Sequence, residues 1–389
     1  MCQESKQNLP LTPPLKKEGN YFLPCPWQGE GFKTSPFFKG RMSEGQVGLN
    51  EVKLFMTKDN NQPKADWRIA FFGVKSWEKE IIEREISRLD TFGVGIFKEE
   101  VQDNLELAAN YDIISPFIYS TFDEKTLEKL PNLKMVATRS TGMDHIDCNK
   151  CKKNGVIVAN VPVYGSNTVA EYAFALLLAV SRKIVVAHQS VEDGEFNPEG
   201  LTGVDLYGKT LGVIGCGKIG QNVIKIARGF GMKVLGVDGY RDPKLEKKSG
   251  FKYVDLETCL KNADFVTLHV PAIPETHHMI NKKNIKLMKP GSILINTARG
   301  AVVETEAIVW ALNNKILAGA GLDVTEEEVM VESMSVIMSK KITKDNLQDI
   351  LSFHMLRDRD DVVFTPHNAF NTKEAIERIV VTTMENIKK

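Results

Sequence analysis

A glycine-rich run near the middle of the chain, residues 215–220, reads GCGKIG, and its residue types suit the binding of a phosphate group. The apolar residues 209–214 before it predict a buried strand, and the apolar spacing of 221–230 predicts a helix that ends at Gly231. In that context the first glycine would permit a tight turn, the second would let the backbone approach a pyrophosphate, and the third would let the helix pack on the strand. The helix N-terminus would add N–H donors and a positive potential.

An acidic residue, Asp238, follows the second predicted strand of this unit, 233–237, and stands eighteen residues after Gly220. An acid near this position binds the ribose hydroxyls in dinucleotide-binding units. A GxGxxG run by itself is weak evidence, but a strand, a helix and an acid in this order together predict a dinucleotide site. A carboxylate here favours NAD, because it would repel the extra phosphate of NADP.

Two further residues with useful chemistry, Arg299 and His367, each follow a predicted buried strand. Open parallel sheets place their ligands at the carboxyl ends of the strands, so both side chains are expected to reach a bound molecule. An arginine can hold a carboxylate by two hydrogen bonds, and an imidazole can give a proton to an oxygen that gains charge. The pair would suit the reduction of a 2-oxo acid by hydride, although residue type alone leaves a structural histidine as an equal alternative at position 367.

The composition favours partners that are small molecules. The 389 residues include 26% charged residues, and the formal net charge is +0 at pH 7, so there is no basic field for nucleic acid or an anionic membrane. The longest apolar run, 173–180, is too short to cross a bilayer, and no charged-then-apolar signal sequence opens the chain. A cytoplasmic location is therefore expected.

The six cysteines are too scattered for a disulfide framework in a chain of this length. Cys148 and Cys151 form a CxxC pair. Without a second pair or nearby histidines, that pair is more typical of a helix turn than of a zinc or redox site. No metal site is predicted.

The chain is predicted to comprise an extension followed by two α/β domains. Residues 1–65 are rich in Pro, Gly, Lys, Asn and Gln and lack sustained apolar periodicity, which predicts a disordered N-terminal extension. From residue 66 onward strands alternate with helices, which predicts a small parallel α/β domain. A long apolar helix over about 167–188 has no strand of its own, and it suits a crossover to a second α/β domain that holds the glycine-rich run.

Six motifs occur in a fixed order along the chain. They are RSTGMDHID at 139–147, VPVYGSNTVAEYAFALLLA at 161–179, LTGVDLYGKTLGVIGCGKIG at 201–220, NTARGAVVETEA at 296–307, GAGLDV at 319–324 and FTPHNAF at 364–370. This set resembles the D-isomer-specific 2-hydroxyacid dehydrogenase family, in particular its bacterial fermentative D-lactate dehydrogenases. The resemblance covers roughly residues 66–389.

The resemblance implies an α/β fold of two doubly wound, Rossmann-like parallel-sheet domains with the active site in the cleft between them. The implied substrate domain is discontinuous, since residues 66–165 are completed by residues 369–389. The implied NAD-binding domain covers residues 166–368.

The resemblance also assigns roles to individual residues. The family's catalytic arginine, glutamate and histidine fall on Arg299, Glu328 and His367, with Glu328 orienting the imidazole and favouring its protonated form. Backbone N–H groups of Thr141 and Gly142 resemble a second clamp, beside Arg299, for the substrate carboxylate. The cofactor contacts that it implies are Gly215, Gly217, Lys218, Ile219, Gly220, Asp238, Val270, Pro271, Thr276, Thr297, Ala298, Arg299 and Asp323.

The implied activity is that of an NAD-dependent oxidoreductase that reduces pyruvate, or another small 2-oxo acid, to the D-2-hydroxy acid. A homodimer or higher homo-oligomer is expected. Other specificities remain open, namely hydroxypyruvate, glyoxylate, phosphoglycerate, formate or phosphite. A non-enzymatic alternative is a corepressor branch of the same fold that acts through NAD-dependent assembly, but the balanced charge and the segment LTGVDLYGKT, 201–210, argue against it.

Overall fold

The computed structural model describes residues 67–89, 92–326 and 344–389. Within these ranges the chain forms two parallel β-sheets, and each sheet buries apolar side chains against helices on both of its faces. This confirms the predicted class of two doubly wound α/β domains. The predicted disordered extension, residues 1–65, lies outside the described residues, and so does the predicted catalytic residue Glu328.

The first sheet contains five parallel strands in the spatial order β2-β1-β3-β4-β5. The strands are β1 (Trp67–Phe71), β2 (Phe92–Ile96), β3 (Ile113–Ser115), β4 (Met135–Ala137) and β5 (Ile157–Ala159). The helices along this part of the chain are α1 (Ser76–Ile86), α2 (Leu105–Ala108), α3 (Glu124–Glu128) and α4 (Cys148–Lys153). Aspartates cap two of them, since Asp123 accepts the Thr126 N–H and Asp147 accepts the Lys150 N–H, both at 2.8 Å.

The CxxC pair lies at the start of α4. Cys148 is the exposed first residue of this helix, and Cys151 is buried in the core of the first sheet with a free thiol. The pair is therefore part of a helix turn, as the sequence indicates.

The second sheet contains seven parallel strands in the spatial order β12-β11-β10-β9-β6-β7-β8. The strands are β6 (Thr210–Ile214), β7 (Lys233–Val237), β8 (Lys252–Tyr253), β9 (Phe265–Leu268), β10 (Ser292–Asn296), β11 (Leu317–Leu322) and β12 (Val362–Phe364). The helices between them are α7 (Lys218–Gly229), α8 (Pro243–Ser249), α9 (Leu256–Asn262), α10 (Thr305–Asn313) and α11 (Lys344–Arg357). The strand order reverses between β6 and β9, and ligands of open α/β sheets bind at such a switch point.

Two helices connect the sheets where the sequence predicts one. They are α5 (Ser166–Ser181) and α6 (Ile184–Glu192). The prediction of a single helix over 167–188 is wrong, because Lys183 takes the left-handed conformation with φ 51° and breaks the helix. Helix α5 packs on α7 and on β10 and β11 of the second sheet, and its Leu177 belongs to the same buried core as Leu211 of β6, whereas α6 buries none of its residues.

The last helix, α12 (Lys373–Lys388), returns to the first sheet. Its residues Val380 and Met384 share a buried core with Ile69 and Phe71 of β1. The first sheet is thus completed by the C-terminal end of the chain, which confirms the predicted discontinuity. Within the described ranges, no helix is both long and apolar enough to cross a membrane.

Candidate active site

A cavity of about 540 Å³ opens where the carboxyl ends of the two sheets face each other. Its walls come from segments that directly follow β3 and β4 of the first sheet and β6, β9, β10, β11 and β12 of the second. The predicted site residues on these walls are Thr141, Gly142, Gly217, Lys218, Ile219, Val270, Pro271, Thr297, Ala298, Arg299, Asp323 and His367. The cavity therefore brings together residues that are far apart in sequence.

The three glycines of the 215–220 run meet different surroundings. Gly215 has φ +94°, and a Cβ there would lie 2.6 Å from the backbone of His269 on the neighbouring strand end. Gly217 is the N-cap of α7, and a Cβ there would meet nothing within 4 Å. A Cβ at Gly220 would overlap the carbonyl oxygen of Gly215. The run thus turns tightly, packs helix against strand, and leaves open space beside Gly217 at the cavity.

Asp238 and Thr276 support the cavity from behind its wall. Asp238 follows β7, and its carboxylate accepts the N–H of Cys216 at 2.7 Å and that of Tyr240 at 2.9 Å. The Thr276 hydroxyl donates to the carbonyl of Pro271 at 2.6 Å and accepts the N–H of Ile273 at 3.0 Å. Gly215, Gly220, Asp238 and Thr276 are not among the residues that line the cavity as described.

Two buried polar atoms of the cavity residues lack a partner within the described part of the chain. They are Oγ1 of Thr297 and Nδ1 of His269. Burial lowers the pKa of His269 to about 3, so its ring is neutral at physiological pH. Buried polar groups without partners are rare in proteins unless a ligand satisfies them. Together with the open start of α7 beside Gly217, these atoms fit a dinucleotide.

Arg299 follows β10 and reaches across to the first sheet. Its Nη1 donates to the carbonyl of Ala298 at 2.7 Å, and its Nε donates to Asp144 at 3.1 Å. A Cβ at Gly142 would overlap Nη2 of Arg299, so the guanidinium lies directly against the loop that follows β4. This contact between the two sheets places a cation beside the predicted backbone clamp.

The loop after β4 is held by hydrogen bonds on both sides. The Thr141 hydroxyl donates to the carbonyl of Val161 at 2.6 Å, and the Asn160 amide donates to the carbonyl of Thr141 at 2.7 Å. The Ser140 hydroxyl donates to the carbonyl of Gly142 at 2.7 Å. The N–H groups of Thr141 and Gly142 donate to no acceptor among the described residues. They are therefore available to an anion, as is Nη2 of Arg299, which donates to no acceptor among the described residues.

His367 lies on a tight turn after β12 and has φ +48°, an unusual conformation for a residue with a side chain. Its N–H donates to the carbonyl of Asp323 at 2.9 Å. The Asp323 carboxylate accepts the Thr365 hydroxyl at 2.6 Å and the N–H groups of Asn368 at 2.7 Å and Ala369 at 2.8 Å. Asp323 thus holds the turn that presents His367 to the cavity. Burial raises the pKa of Asp323, and these hydrogen bonds oppose that rise.

Glu326 lies close in sequence to Glu328 but is bound elsewhere. One of its carboxylate oxygens lies 2.5 Å from Nε2 of His278, and the other accepts the N–H and the hydroxyl of Thr305 at the start of α10. Both oxygens are engaged by these contacts, which fix the chain just before the segment that carries Glu328.

Several cavity residues were not singled out from the sequence. They include Arg139, Tyr164, His269, Phe117 and Phe370. Burial raises the pKa of Tyr164, so its phenol stays protonated at neutral pH. Arg139, Tyr164 and Phe370 stand inside the quoted motifs, which is a signal that could have drawn attention to them, whereas Phe117 follows β3 without any motif.

Phe117 and Phe370 form an aromatic wall with Trp77 of α1. The ring centroids of Phe117 and Phe370 are 5.4 Å apart, and that of Trp77 lies 5.8 Å from Phe370 and 6.1 Å from Phe117. In the described ranges no group of three or more His, Cys, Asp or Glu side chains could hold a metal ion.

Comparison with known proteins agrees with this geometry. Residues 174–369 match the family model for the NAD-binding domain of D-isomer-specific 2-hydroxyacid dehydrogenases. The chain is 46% identical over 231 residues to a glyoxylate reductase of Thermococcus litoralis, a match that covers 58% of this chain and 70% of the relative. It is 33% identical over 323 residues to the D-lactate dehydrogenase of Escherichia coli, which covers 82% of this chain and 95% of the relative.

A solved structure is similar over the same range. The D-lactate dehydrogenase of Aquifex aeolicus, complexed with NAD and lactic acid, superposes with a TM-score of 0.74 at 36% identity, and the match covers 82% of this chain and 94% of that one. The cavity, the glycine-rich turn and these similarities lead to one conclusion: the chain belongs to the D-isomer-specific 2-hydroxyacid dehydrogenases and uses NAD.

Proposed function

We propose that this chain reduces pyruvate, or a similar small 2-oxo acid, to the D-2-hydroxy acid with NADH. One observation carries the proposal: a single cavity holds a cation, two backbone donors and a histidine next to the glycine-rich turn. The cation is Arg299, the donors are the N–H groups of Thr141 and Gly142, and the histidine is His367.

Each of these groups has a separate task in the proposed reaction. Arg299 and the two backbone donors hold the substrate carboxylate from opposite sides, which fixes the 2-oxo group in the cavity. NADH, when bound, supplies the hydride. His367 gives a proton to the oxygen that gains charge, and it takes that proton back in the oxidation direction. The remaining predicted contacts, from Gly215 to Asp323, hold the cofactor.

Glu328 is proposed as the acid that favours the protonated form of His367. Glu326 is a weaker candidate, because His278 and Thr305 already occupy its carboxylate. A Glu328→Gln variant keeps the size and hydrogen-bonding capacity of the side chain but removes the anion. Pyruvate reduction should then fade at a lower pH than in the parent enzyme, and the rising limb of D-lactate oxidation should also move to lower pH. Profiles that stay in place would remove Glu328 from this role.

The aromatic wall bears on the size and polarity of the substrate side chain. Trp77, Phe117 and Phe370 present rings rather than charges, which favours a small apolar group such as the methyl of pyruvate. Glyoxylate is the second candidate substrate, because relatives such as that of Thermococcus litoralis carry the name glyoxylate reductase.

The test is a panel of 2-oxo acids followed by the loss of NADH absorbance. Pyruvate, glyoxylate, hydroxypyruvate, 2-oxobutyrate and phenylpyruvate differ only in the group that meets the aromatic wall. We expect the highest kcat/KM with pyruvate. A higher value with glyoxylate would assign the second candidate, and inactivity on the whole panel would contradict the proposal.

The proposed assembly is a homodimer that forms through the exposed helix α6. Ile184, Val185 and Val191 on this helix are each about half exposed. The helix is preceded by Arg182 and ends in acidic residues at 192–193, so two copies related by a twofold axis could pair opposite charges. A Val185→Asp variant should sediment as a smaller species than the parent chain, and an unchanged sedimentation coefficient would contradict this interface.

The proposed domain division assigns residues 66–165 and 369–389 to the substrate domain and residues 166–368 to the NAD-binding domain. The segments that follow β4 and β10 then meet across the cleft between the domains, where Arg299 contacts Asp144. We propose that the enzyme works in the cytoplasm, where NADH and small 2-oxo acids are both present.

A further inference from the structure

A buried ion pair lies directly beneath the loop that carries the backbone clamp. Arg139 is the residue that precedes this loop, and its side chain is 0% exposed. Glu78 of α1 is 1% exposed, and its carboxylate accepts Nε of Arg139 at 3.0 Å and Nη2 at 3.1 Å. This is the two-bond geometry in which an arginine fork and a carboxylate hold each other most firmly.

The remaining donors of Arg139 bind the ends of neighbouring strands. Nη2 donates to the carbonyl of Phe72, just after β1, at 2.8 Å. Nη1 donates to the carbonyl of Ser115, the last residue of β3, at 2.6 Å, and it lies 3.4 Å from the hydroxyl of the same serine. All five N–H groups of the guanidinium thus have a partner within the described part of the chain. Only an arginine can satisfy this set, because lysine has a single nitrogen.

These contacts connect elements that face the substrate. The backbone of Arg139 continues into the clamp residues Thr141 and Gly142, and its N–H donates to the carbonyl of Pro116 at 3.0 Å. Pro116 precedes Phe117 of the aromatic wall, and Glu78 follows Trp77 of the same wall. The pair therefore joins the carboxylate clamp and the aromatic wall to the carboxyl ends of β1, β3 and β4.

A buried ion pair is not needed for stability in general, because burial of both charges costs about as much as their attraction returns. Its value here lies in the fixed direction of its hydrogen bonds. The N–H groups of Thr141 and Gly142 bind the substrate carboxylate only if they point into the cavity, and misplacement of a positioning group by about 1 Å can cost on the order of a hundredfold in rate.

We propose that Arg139 and Glu78 are positioning residues for the substrate carboxylate, and that they act by fixing the loop that carries Thr141 and Gly142. The inference rests on the proposed function, since it assumes that this loop binds the carboxylate of a 2-oxo acid. It assigns neither residue a contact with the substrate or the cofactor.

The test compares the binding of substrate and cofactor in an Arg139→Lys variant. Lysine keeps the charge but cannot reach Glu78, Phe72 and Ser115 together. We expect the KM for the preferred 2-oxo acid to rise at least about tenfold, and inhibition by oxamate, a 2-oxo acid analogue, to weaken by the same factor. The Kd of NADH, measured by fluorescence, should stay within about twofold of the parent value, because the pair lies on the first sheet.

Two further variants serve as a substitute and as a control for this test. If Arg139→Lys does not fold, Glu78→Asp replaces it, because it retains both charges and only shortens the reach by one methylene group. Arg68→Met is the matched control, since it breaks an exposed pair with Asp112 on the same sheet, where the two charged atoms are 3.4 Å apart. We expect the control to keep the KM of the parent.

Three outcomes would overturn the inference in distinguishable ways. An active, folded Arg139→Lys or Glu78→Asp enzyme with an unchanged KM would contradict the positioning role alone. A parallel loss of NADH and substrate binding would show a general loss of structure instead. A parent enzyme that reduces no acid of the panel would contradict the proposed function and, with it, this inference.

Discussion

The two sides of the cavity are built in different ways. The proposed cofactor side includes one continuous stretch, 210–238, in which glycines make a tight turn and a close contact between helix and strand. The proposed substrate side comes from separate segments after β3, β4, β10 and β12, and its charged and proton-donating groups are the side chains of Arg299 and His367. A backbone site tolerates changes in most of its side chains, whereas a site made of side chains depends on how each one is held.

The supports of the substrate side follow from this difference. His367 is held by the buried carboxylate of Asp323, and the loop of Thr141 is held by Ser140, Asn160 and the buried Arg139. On the cofactor side, the corresponding support is a set of close backbone contacts at Gly215 and Gly220. We therefore expect substitutions on the two sides to fail in different ways.

The largest effect is expected on the substrate side, at His367. His367→Ala removes the proposed proton donor, and general acid catalysis contributes about 10²- to 10⁴-fold. We expect kcat to fall by that order for pyruvate reduction and for D-lactate oxidation across the whole pH range. The Kd of NADH should change little, and fluorescence titration measures it. A variant that keeps the kcat of the parent would show that His367 is not the proton donor and has a structural role instead.

The next effect tests the cofactor side by comparing two glycines of the same run, because Gly217→Ala and Gly220→Ala are the same chemical change in different surroundings. A Cβ at Gly217 meets open space, so that variant should fold normally but weaken NADH binding by about tenfold, because the methyl group occupies the approach of the pyrophosphate. A Cβ at Gly220 overlaps the carbonyl of Gly215, so that variant should lose about 1–3 kcal/mol of folding free energy.

Thermal unfolding and NADH titration of both variants give the measurement. Equal losses of stability in the two variants would contradict the different roles assigned to the two glycines. Unchanged NADH binding in the Gly217→Ala enzyme would remove the start of α7 from the pyrophosphate site.

A smaller effect is expected at Asp238, where the cofactor side does depend on a side chain. Asp238→Asn removes the negative charge but keeps one oxygen that can accept the Cys216 N–H, whereas Asp238→Ala removes both the charge and the acceptor oxygen. Both variants should raise the ratio of NADPH to NADH efficiency, by about tenfold, because the repulsion of the 2′-phosphate disappears. NADH efficiency should fall further in the alanine variant, and steady-state kinetics with both cofactors provide the check. An unchanged ratio would place the ribose contact elsewhere.

The same contrast explains what could be predicted from the sequence. The glycine-rich run, its strand, its helix and Asp238 follow one another along the chain, so local pattern was sufficient to predict the strand, the turn and the helix of this unit. The support that Asp323 gives to the His367 turn joins β11 to the residues after β12, and no spacing rule encodes it. The pairing of Arg139 with Glu78 joins residues sixty-one positions apart and was likewise out of reach of local pattern.

The break between α5 and α6 shows a limit of a different kind. Apolar spacing continues across residues 182–183, so periodicity predicts one helix there. Lys183 nevertheless takes a left-handed conformation, which a lysine does not signal in sequence. Helix α5 then covers the second sheet, while α6 leaves it.

The last and smallest effect concerns the free energy of unfolding at acid pH and the loop after β4, which carries Thr141 and Gly142. His145 lies on this loop, and its Nε2 is 3.1 Å from the hydroxyl of Thr138. Burial lowers the pKa of His145 to about 4, and the charge of Arg299 acts in the same direction, against Asp144. In the unfolded chain this histidine takes up a proton near pH 6.5, whereas in the folded chain it stays neutral down to about pH 4. Its contribution to the free energy of unfolding is therefore fully present above pH 6.5 and is lost as the pH falls toward 4. At pH 5 the loss of unfolding free energy should reach about 1–2 kcal/mol, reduced from the full linkage value because the ring is partly solvated.

A His145→Gln variant tests this expectation. Its side chain cannot take up the proton and can still bond to Thr138, so its free energy of unfolding should fall less between pH 7.5 and pH 5. Urea unfolding at the two pH values measures the difference, with His188→Gln as the control, because that histidine side chain is 72% exposed. If the parent and the His145→Gln chain lose the same free energy, His145 is not the group that makes the loop sensitive to acid.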